Sequence, residues 1–158
     1  MNKTITLILA LLLGTASNAQ TNIDLGGISA DPKAPIEVSA DNLSVDQDSG
    51  TAVFSGNVVI GQGDLRLSAG SVRVVYSDST GDIAQLLATD GVTLVTDSEA
   101  AEAATADYNL TTGILTLSGS VLLTQGASAL SAEQMTIDLN SGRAQMSGRV
   151  RTVFQQDG

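Results

Sequence analysis

Ser39 to Val58 reads SADNLSVDQDSGTAVFSGNV and Ser131 to Val150 reads SAEQMTIDLNSGRAQMSGRV; the two align without a gap, with nine identities in twenty positions. Most of the remaining pairs are conservative, so the match is an internal duplication, and a duplicated unit sets the architecture before any single motif does. A second gap-free overlay places SGNVVIGQGDLRLSA (Ser55 to Ala69) on SGSVLLTQGASALSA (Ser118 to Ala132). A weaker copy runs from Ser68 to Leu94. The unit is about 30 residues long and occurs about four times, with Gly56, Gly91, Gly119 and Gly148 in corresponding places. A unit of that size buries no face of its own and must stack on its neighbours.

Each copy reads as strand, tight turn, strand. Asp48-Ser49-Gly50, Ser79-Thr80-Gly81, Thr112-Gly113 and Asn140-Ser141-Gly142 put glycine where a hairpin needs positive φ. After each turn the apolar residues keep one parity: Phe54, Val58 and Ile60 in the first copy, Leu115, Leu117, Val121 and Leu123 in the third. One face therefore looks inward, and the other carries Ser55, Asn57, Ser118 and Ser120. A phase switch also recurs. Val38 and Ala40 give way to Leu43 and Val45, Leu67 and Ala69 to Val72 and Val74, and Leu130 and Ala132 to Met135 and Ile137. A step of three inside a period of two swaps faces, which predicts a bulge or corner at each such site. The fold class is all-β: antiparallel strands in a rolled or sandwich-like sheet.

The composition agrees. Of the 158 residues 42% are hydrophobic, and they are mainly Val, Leu, Ile and Ala; Phe54, Phe154, Tyr76 and Tyr108 are the only aromatic residues. There is no Cys, His or Trp, which removes the common general base, the thiolate nucleophile and the softer metal ligands. Seven Lys and Arg against 17 Asp and Glu give a net charge of -10, opposed to nucleic acid and to an electrostatic grip on anionic lipid. The residues call for no enzyme activity, cofactor or metal ion.

Met1 to Ala19, MNKTITLILALLLGTASNA, has the pattern of a secretory signal peptide: cationic Lys3, an apolar run from Ile5 to Leu13, then small residues. Its apolar run is shorter than the roughly 20 residues of a membrane span. Cleavage there leaves 6 basic against 17 acidic side chains, a net charge of -11. Residues 20–34 read as a flexible leader, 35–154 as one all-β domain and 155–158 as a tail. The expected product is a protein of the cell envelope or outside.

Few side chains suggest chemistry. Asp46-Gln47-Asp48-Ser49-Gly50 has the spacing of part of a calcium loop but lacks the distal acid, and reads as turn chemistry. Asp41, Asp107 and Glu133 recur at the Ser/Thr-Ala-Asp/Glu step and read as caps on exposed amides at a bend. Arg143, Arg149 and Arg151 form the only basic cluster; charges on a terminal strand discourage unwanted pairing, with phosphate binding as the alternative. Phe54, Val58, Leu67, Leu117, Val121, Leu130 and Met146 form an inward apolar strip. It is either an ordinary core or a partly open groove suited to a flexible acyl chain.

The domain opening PIEVSADNLSVD and the stretch FSGNVVIGQG (Phe54 to Gly63) resemble the OstA-like family of lipopolysaccharide-transport proteins, over Pro35 to about Phe154. The resemblance implies a periplasmic β-jellyroll that holds lipopolysaccharide acyl chains in its apolar interior. Ile36, Val38, Phe54, Val58, Ile60, Leu67, Leu117, Val121, Leu130 and Met146 are the lipid-binding candidates. It also implies end-to-end assembly, among copies and with matching domains of inner-membrane-anchored and outer-membrane partners. The joining edges would lie near Ile36 to Val45 and Gln145 to Phe154, with Val38, Val45, Val150 and Phe154 as edge residues. The acidic surface, at a net charge of -10, opposes head-group neutralisation by this chain. A structural module that assembles through its edges without lipid is the competing reading.

Overall fold

The structure is a computed structural model, which describes residues 23–24, 31 and 33–155. The predicted signal peptide lies outside the described residues. Twelve strands follow in chain order: β1 (Ile23–Asp24), β2 (Ile36–Ser39), β3 (Asn42–Asp46), β4 (Thr51–Gln62), β5 (Leu65–Tyr76), β6 (Ile83–Val95), β7 (Glu99–Ala103), β8 (Thr105–Asn109), β9 (Ile114–Gln125), β10 (Ser128–Asp138), β11 (Arg143–Ser147) and β12 (Arg151–Val153). All pair antiparallel in one sheet, as the turn spacing predicts.

That sheet is folded along a row of bends. In β4 the pair Gly56–Asn57 lies opposite the single residue Gly70, so the register moves between Ser55↔Ser71 and Val58↔Ala69. In β9 the pair Gly119–Ser120 lies opposite Glu133 in the same way. Two residues facing one is a β-bulge, and here both members of each pair have positive φ: 79° and 47° at Gly56 and Asn57, 87° and 48° at Gly119 and Ser120. Asp90–Gly91 and Gly148–Arg149 repeat the device. The long strands thereby pass from one half of the folded sheet to the other. The first half holds β3, β8, β11 and the turn-proximal parts of the long strands; the second holds β2, β7, β12 and the remaining parts.

The single residues facing these pairs are Asp41, Gly70, Ala104 and Glu133. The amides of Asp41, Ala104 and Glu133 donate to the carbonyls of Gly56, Gly119 and Gly148 at 2.8, 3.0 and 2.9 Å, which ties each bend shut. Three of the four follow the predicted phase switch. The fourth corrects it: Ala104, not Asp107, occupies the corner of its unit, and Asp107 lies within β8, accepting a 2.8 Å bond from Gln85 Nε2. Nor do the corner acids cap backbone amides. Asp41 Oδ2 accepts from Asn57 Nδ2 at 2.9 Å, and Glu133 lies 3.7 Å from Arg149 Nε in an exposed ion pair of little energetic weight.

The core fills the space between the two halves. Val72, Val74, Leu94, Leu115, Leu117, Leu123, Met135, Ile137 and Leu139 are fully buried and aliphatic. Such a core is held by shape and area, with no disulfide to assist it. At the hairpin ends Asp46 Oδ1 accepts from the amides of Asp48 (3.0 Å) and Ser49 (3.3 Å), and Asp138 Oδ1 from Asn140 (2.9 Å) and Ser141 (3.4 Å). This is the turn chemistry read from the sequence.

Candidate functional site: the apolar interior and its two ends

The candidate site is the space between the two sheet halves. Of the predicted lining residues, Val58, Ile60, Leu67, Leu117, Val121 and Leu130 are buried, whereas Ile36, Val38, Phe54 and Met146 are partly buried and pack against the same core. The two groups occupy different places. The buried residues belong to strands with neighbours on both sides. Ile36 and Val38 lie on the outermost strand β2, Phe54 lies on β4 beside the outermost strand β3, and Met146 lies on β11 at the opposite end.

At the first end the inward face continues into solvent. Leu43 pairs with Phe54 and Val45 with buried Ala52, so both share the inward face, yet they are 56% and 61% exposed because among the described residues no strand lies beyond β3. At the other end Val150 and Phe154 are 50% and 73% exposed. The predicted edge residues thus lie on the outermost strands or beside them, with one correction. The edge of β11 is not wholly unpaired: Ile23 and Asp24, expected in a flexible leader, form β1 against Ala144 and Arg143. The basic cluster spreads along this end, with Arg143, Arg149 and Arg151 all exposed.

Sequence reasoning missed a polar contact inside the aliphatic interior. Tyr108 Oη, from the first half, donates to Gln62 Oε1, from the second, at 2.9 Å, and Gln62 Nε2 donates to the Ala34 carbonyl at 3.2 Å. Both side chains are buried. Burial pushes the Tyr108 phenol up from its usual range, and the bond to Gln62 offsets only part of that. Beside this contact a cleft of about 400 Å³, lined by Ala34, Ile36, Gln62, Gly81, Asp82, Ile83 and Leu110, opens between the halves on the side away from the bends. A signal was present: Gln62 aligns with Gln125 in the second overlay, and Gln125 Nε2 donates to buried Glu99 at 2.6 Å.

Physically, the arrangement offers an aliphatic interior that is packed through its middle and carries partly exposed apolar residues at its ends, with the Tyr108–Gln62 bond joining the two halves at one lip. Residues 37–143 match the family model described as LptA/(LptD N-terminal domain) LPS transport protein. The chain belongs to that family. Membership places it among lipopolysaccharide-transport proteins, a non-enzymatic class.

Two relatives and one solved structure extend the comparison. The chain is 29% identical over 154 residues to an uncharacterised protein of Rhizobium meliloti, covering 90% of this chain and 83% of that one. It is 33% identical over 75 residues to the lipopolysaccharide export system protein LptH of Pseudomonas aeruginosa, covering 48% of this chain and 42% of LptH. The crystal structure of that LptH, described as the LptA-homologous periplasmic component of a lipopolysaccharide transport device, superimposes with a TM-score of 0.71 at 20% identity. The superposition covers 80% of this chain and 99% of LptH, and establishes the shared jellyroll fold.

Proposed function

We propose that this chain is a periplasmic carrier that bridges the inner and outer membranes, passing lipopolysaccharide acyl chains along the interior of end-to-end assembled jellyrolls. The observation that carries the reading is the exposure of inward-facing apolar residues at the first end: Leu43 and Val45 continue the inward face of Phe54 and Ala52, and among the described residues no strand covers them. A second jellyroll placed there would bury them and continue the aliphatic surface. Partners with matching domains, anchored in the inner membrane and seated in the outer membrane, would engage the same ends.

Acyl chains suit this interior because it recognises area and shape and offers almost no hydrogen-bonding groups. The phosphates would stay outside, away from a surface whose net charge is -10. The chain has no Gly-rich phosphate loop with a Lys, so the motive force comes from elsewhere.

The test is lipid capture by Phe54→Asp against Val59→Asp. Val59 lies on β4 facing outward and is exposed; it is a better control than Asn57, which holds a bend at positive φ. The reading expects Phe54→Asp to lose lipopolysaccharide from protein purified from a lipopolysaccharide-producing cell while Val59→Asp keeps it. Equal capture by the two variants contradicts it. The structural-module reading is favoured by one observation, the completely buried middle of the core at Leu115, Leu117 and Leu123. It expects no lipid on either variant or on the unmodified chain.

A further inference from the structure

The duplication gives a ruler for the last strand. Thr51 and Ala52 of β4 occupy the positions that Arg143 and Ala144 occupy in β11. In the first copy β4 has a neighbour on each side: β3 with Val45↔Ala52 and Asp46↔Thr51, and β5 with Val74↔Ala52 and Val75↔Thr51. In the last copy β10 stands for β3, with Ile137↔Ala144 and Asp138↔Arg143. The position of β5 is filled by β1, with Ile23↔Ala144 and Asp24↔Arg143. Direction and register are both those of β5 on β4. Ile23, an apolar residue, stands where buried Val74 stands in the first copy.

We infer that the chain's own Ile23–Asp24 segment occupies the β11 edge, where the end-to-end reading places the first strands of a second jellyroll, and competes with them for it. The segment occupies the place where the next unit of an extended stack would sit, and an incoming strand must displace it. The inference rests on the end-to-end reading above. It adds to that reading the register of the joint and a self-occupied state of the isolated protein. A pairing of two residues is short enough to be exchanged for the longer pairing that a strand of β3's five residues would make. The apparent affinity of such a joint is lowered by the fraction of molecules whose edge is already occupied.

The chain contains no cysteine, so introduced pairs report without background. Ile23→Cys with Ala144→Cys, and separately Asp24→Cys with Arg143→Cys, place thiols at neighbouring register pairs. Paired residues in antiparallel strands have Cα atoms about 4.5–5.5 Å apart, within disulfide range. Using both pairs covers the narrow and the wide site of the ladder. Each is made in the full mature chain and followed by sedimentation velocity across a concentration series, oxidised and reduced, beside a variant lacking residues 20–30.

The expected result is a disulfide in at least one pair, a monomer at all concentrations when it is oxidised, and association on reduction. The truncated chain should associate at about tenfold lower concentration than the unmodified one, the mark of a removed competitor. Failure of both pairs to crosslink overturns the inference, because β1 is then not on β11. Equal association of oxidised and reduced protein overturns the competition while leaving end-to-end assembly standing. No association in any form, truncation included, overturns both the joint and the competition. Lipid capture at Phe54 reports on the carrier reading separately.

Discussion

Leu43 and Met135 occupy the same position in two copies of one repeat, as do Val45 and Ile137, but the first of each pair is exposed and the second is completely buried. The later strand of each copy shows the reverse. Val58 is buried in the first copy, and its counterpart Val150 is half exposed in the last. Local sequence is nearly the same in both copies; what differs is whether a neighbouring strand exists. Among the described residues the first copy has no neighbouring strand beyond β3, and the last has only the two-residue β1 beyond β11. In the proposed end-to-end assembly each end would cover the face that the other presents.

The largest effects should separate the middle of the stack from its ends. Leu117→Asp places an uncompensated charge in the closed core and is expected to abolish folding, read as loss of a cooperative urea transition, whereas Phe54→Asp should keep one. If both unfold, the ends are no more open than the middle. Met135→Ala should cost about 3 kcal/mol in urea titration, against less than about 0.5 kcal/mol for Leu43→Ala in the isolated chain. Similar costs would mean that Leu43 is covered in solution.

The bends allow a finer comparison. A Cβ on Gly119 would meet Ala104 Cβ at 2.6 Å, whereas one on Gly91 meets nothing within 4 Å, and both have φ above 80°. Gly91→Ala should then cost about 1–2 kcal/mol from conformation alone, and Gly119→Ala more. Equal losses would show that close packing at the corner adds nothing. Tyr108→Phe leaves Gln62 Oε1 without its donor and should cost about 1–2 kcal/mol in the same titration.

The smallest effect concerns pH. Amide bonds from Ser49 and Asp48 hold the Asp46 carboxyl below its ordinary 3.8. At Asp138 burial pulls the carboxyl up, but the bonds from Asn140 and Ser141 together outweigh it and the net direction is the same. Depressed carboxylates stabilise the fold above the unfolded value and lose that contribution as pH falls through the folded one. Stability measured by urea titration should decline below pH 3.8, and less steeply in Asp46→Asn with Asp138→Asn.

Much of this fold was legible because the governing signals are local. Turn glycines, parity and the step of three each need only a few consecutive residues, and they locate the hairpins and three of the four corners. The fourth failed because Asp107 fits the motif's letters while Ala104 fits its geometry: the residue opposite Gly119–Ser120 is decided by pairing across strands. The site was legible as a face but not as an extent. Alternation assigned Phe54 and Leu117 alike to the interior, and only the stack shows one partly open and the other sealed. The Tyr108–Gln62 contact joins residues 46 apart through folding of the sheet, which no periodicity records.

If lipid passes from one end of the interior to the other, photo-crosslinking at both ends together reads it directly. A photoreactive residue is placed at Phe54, at its last-copy counterpart Met146 and at outward Val59, and protein from a lipopolysaccharide-producing cell is probed for attached lipid. Lipid at 54 and 146 but not at 59 is the predicted result. Lipid at neither end, or at 59 as readily as at 54, would contradict a carrier whose cargo travels through the interior.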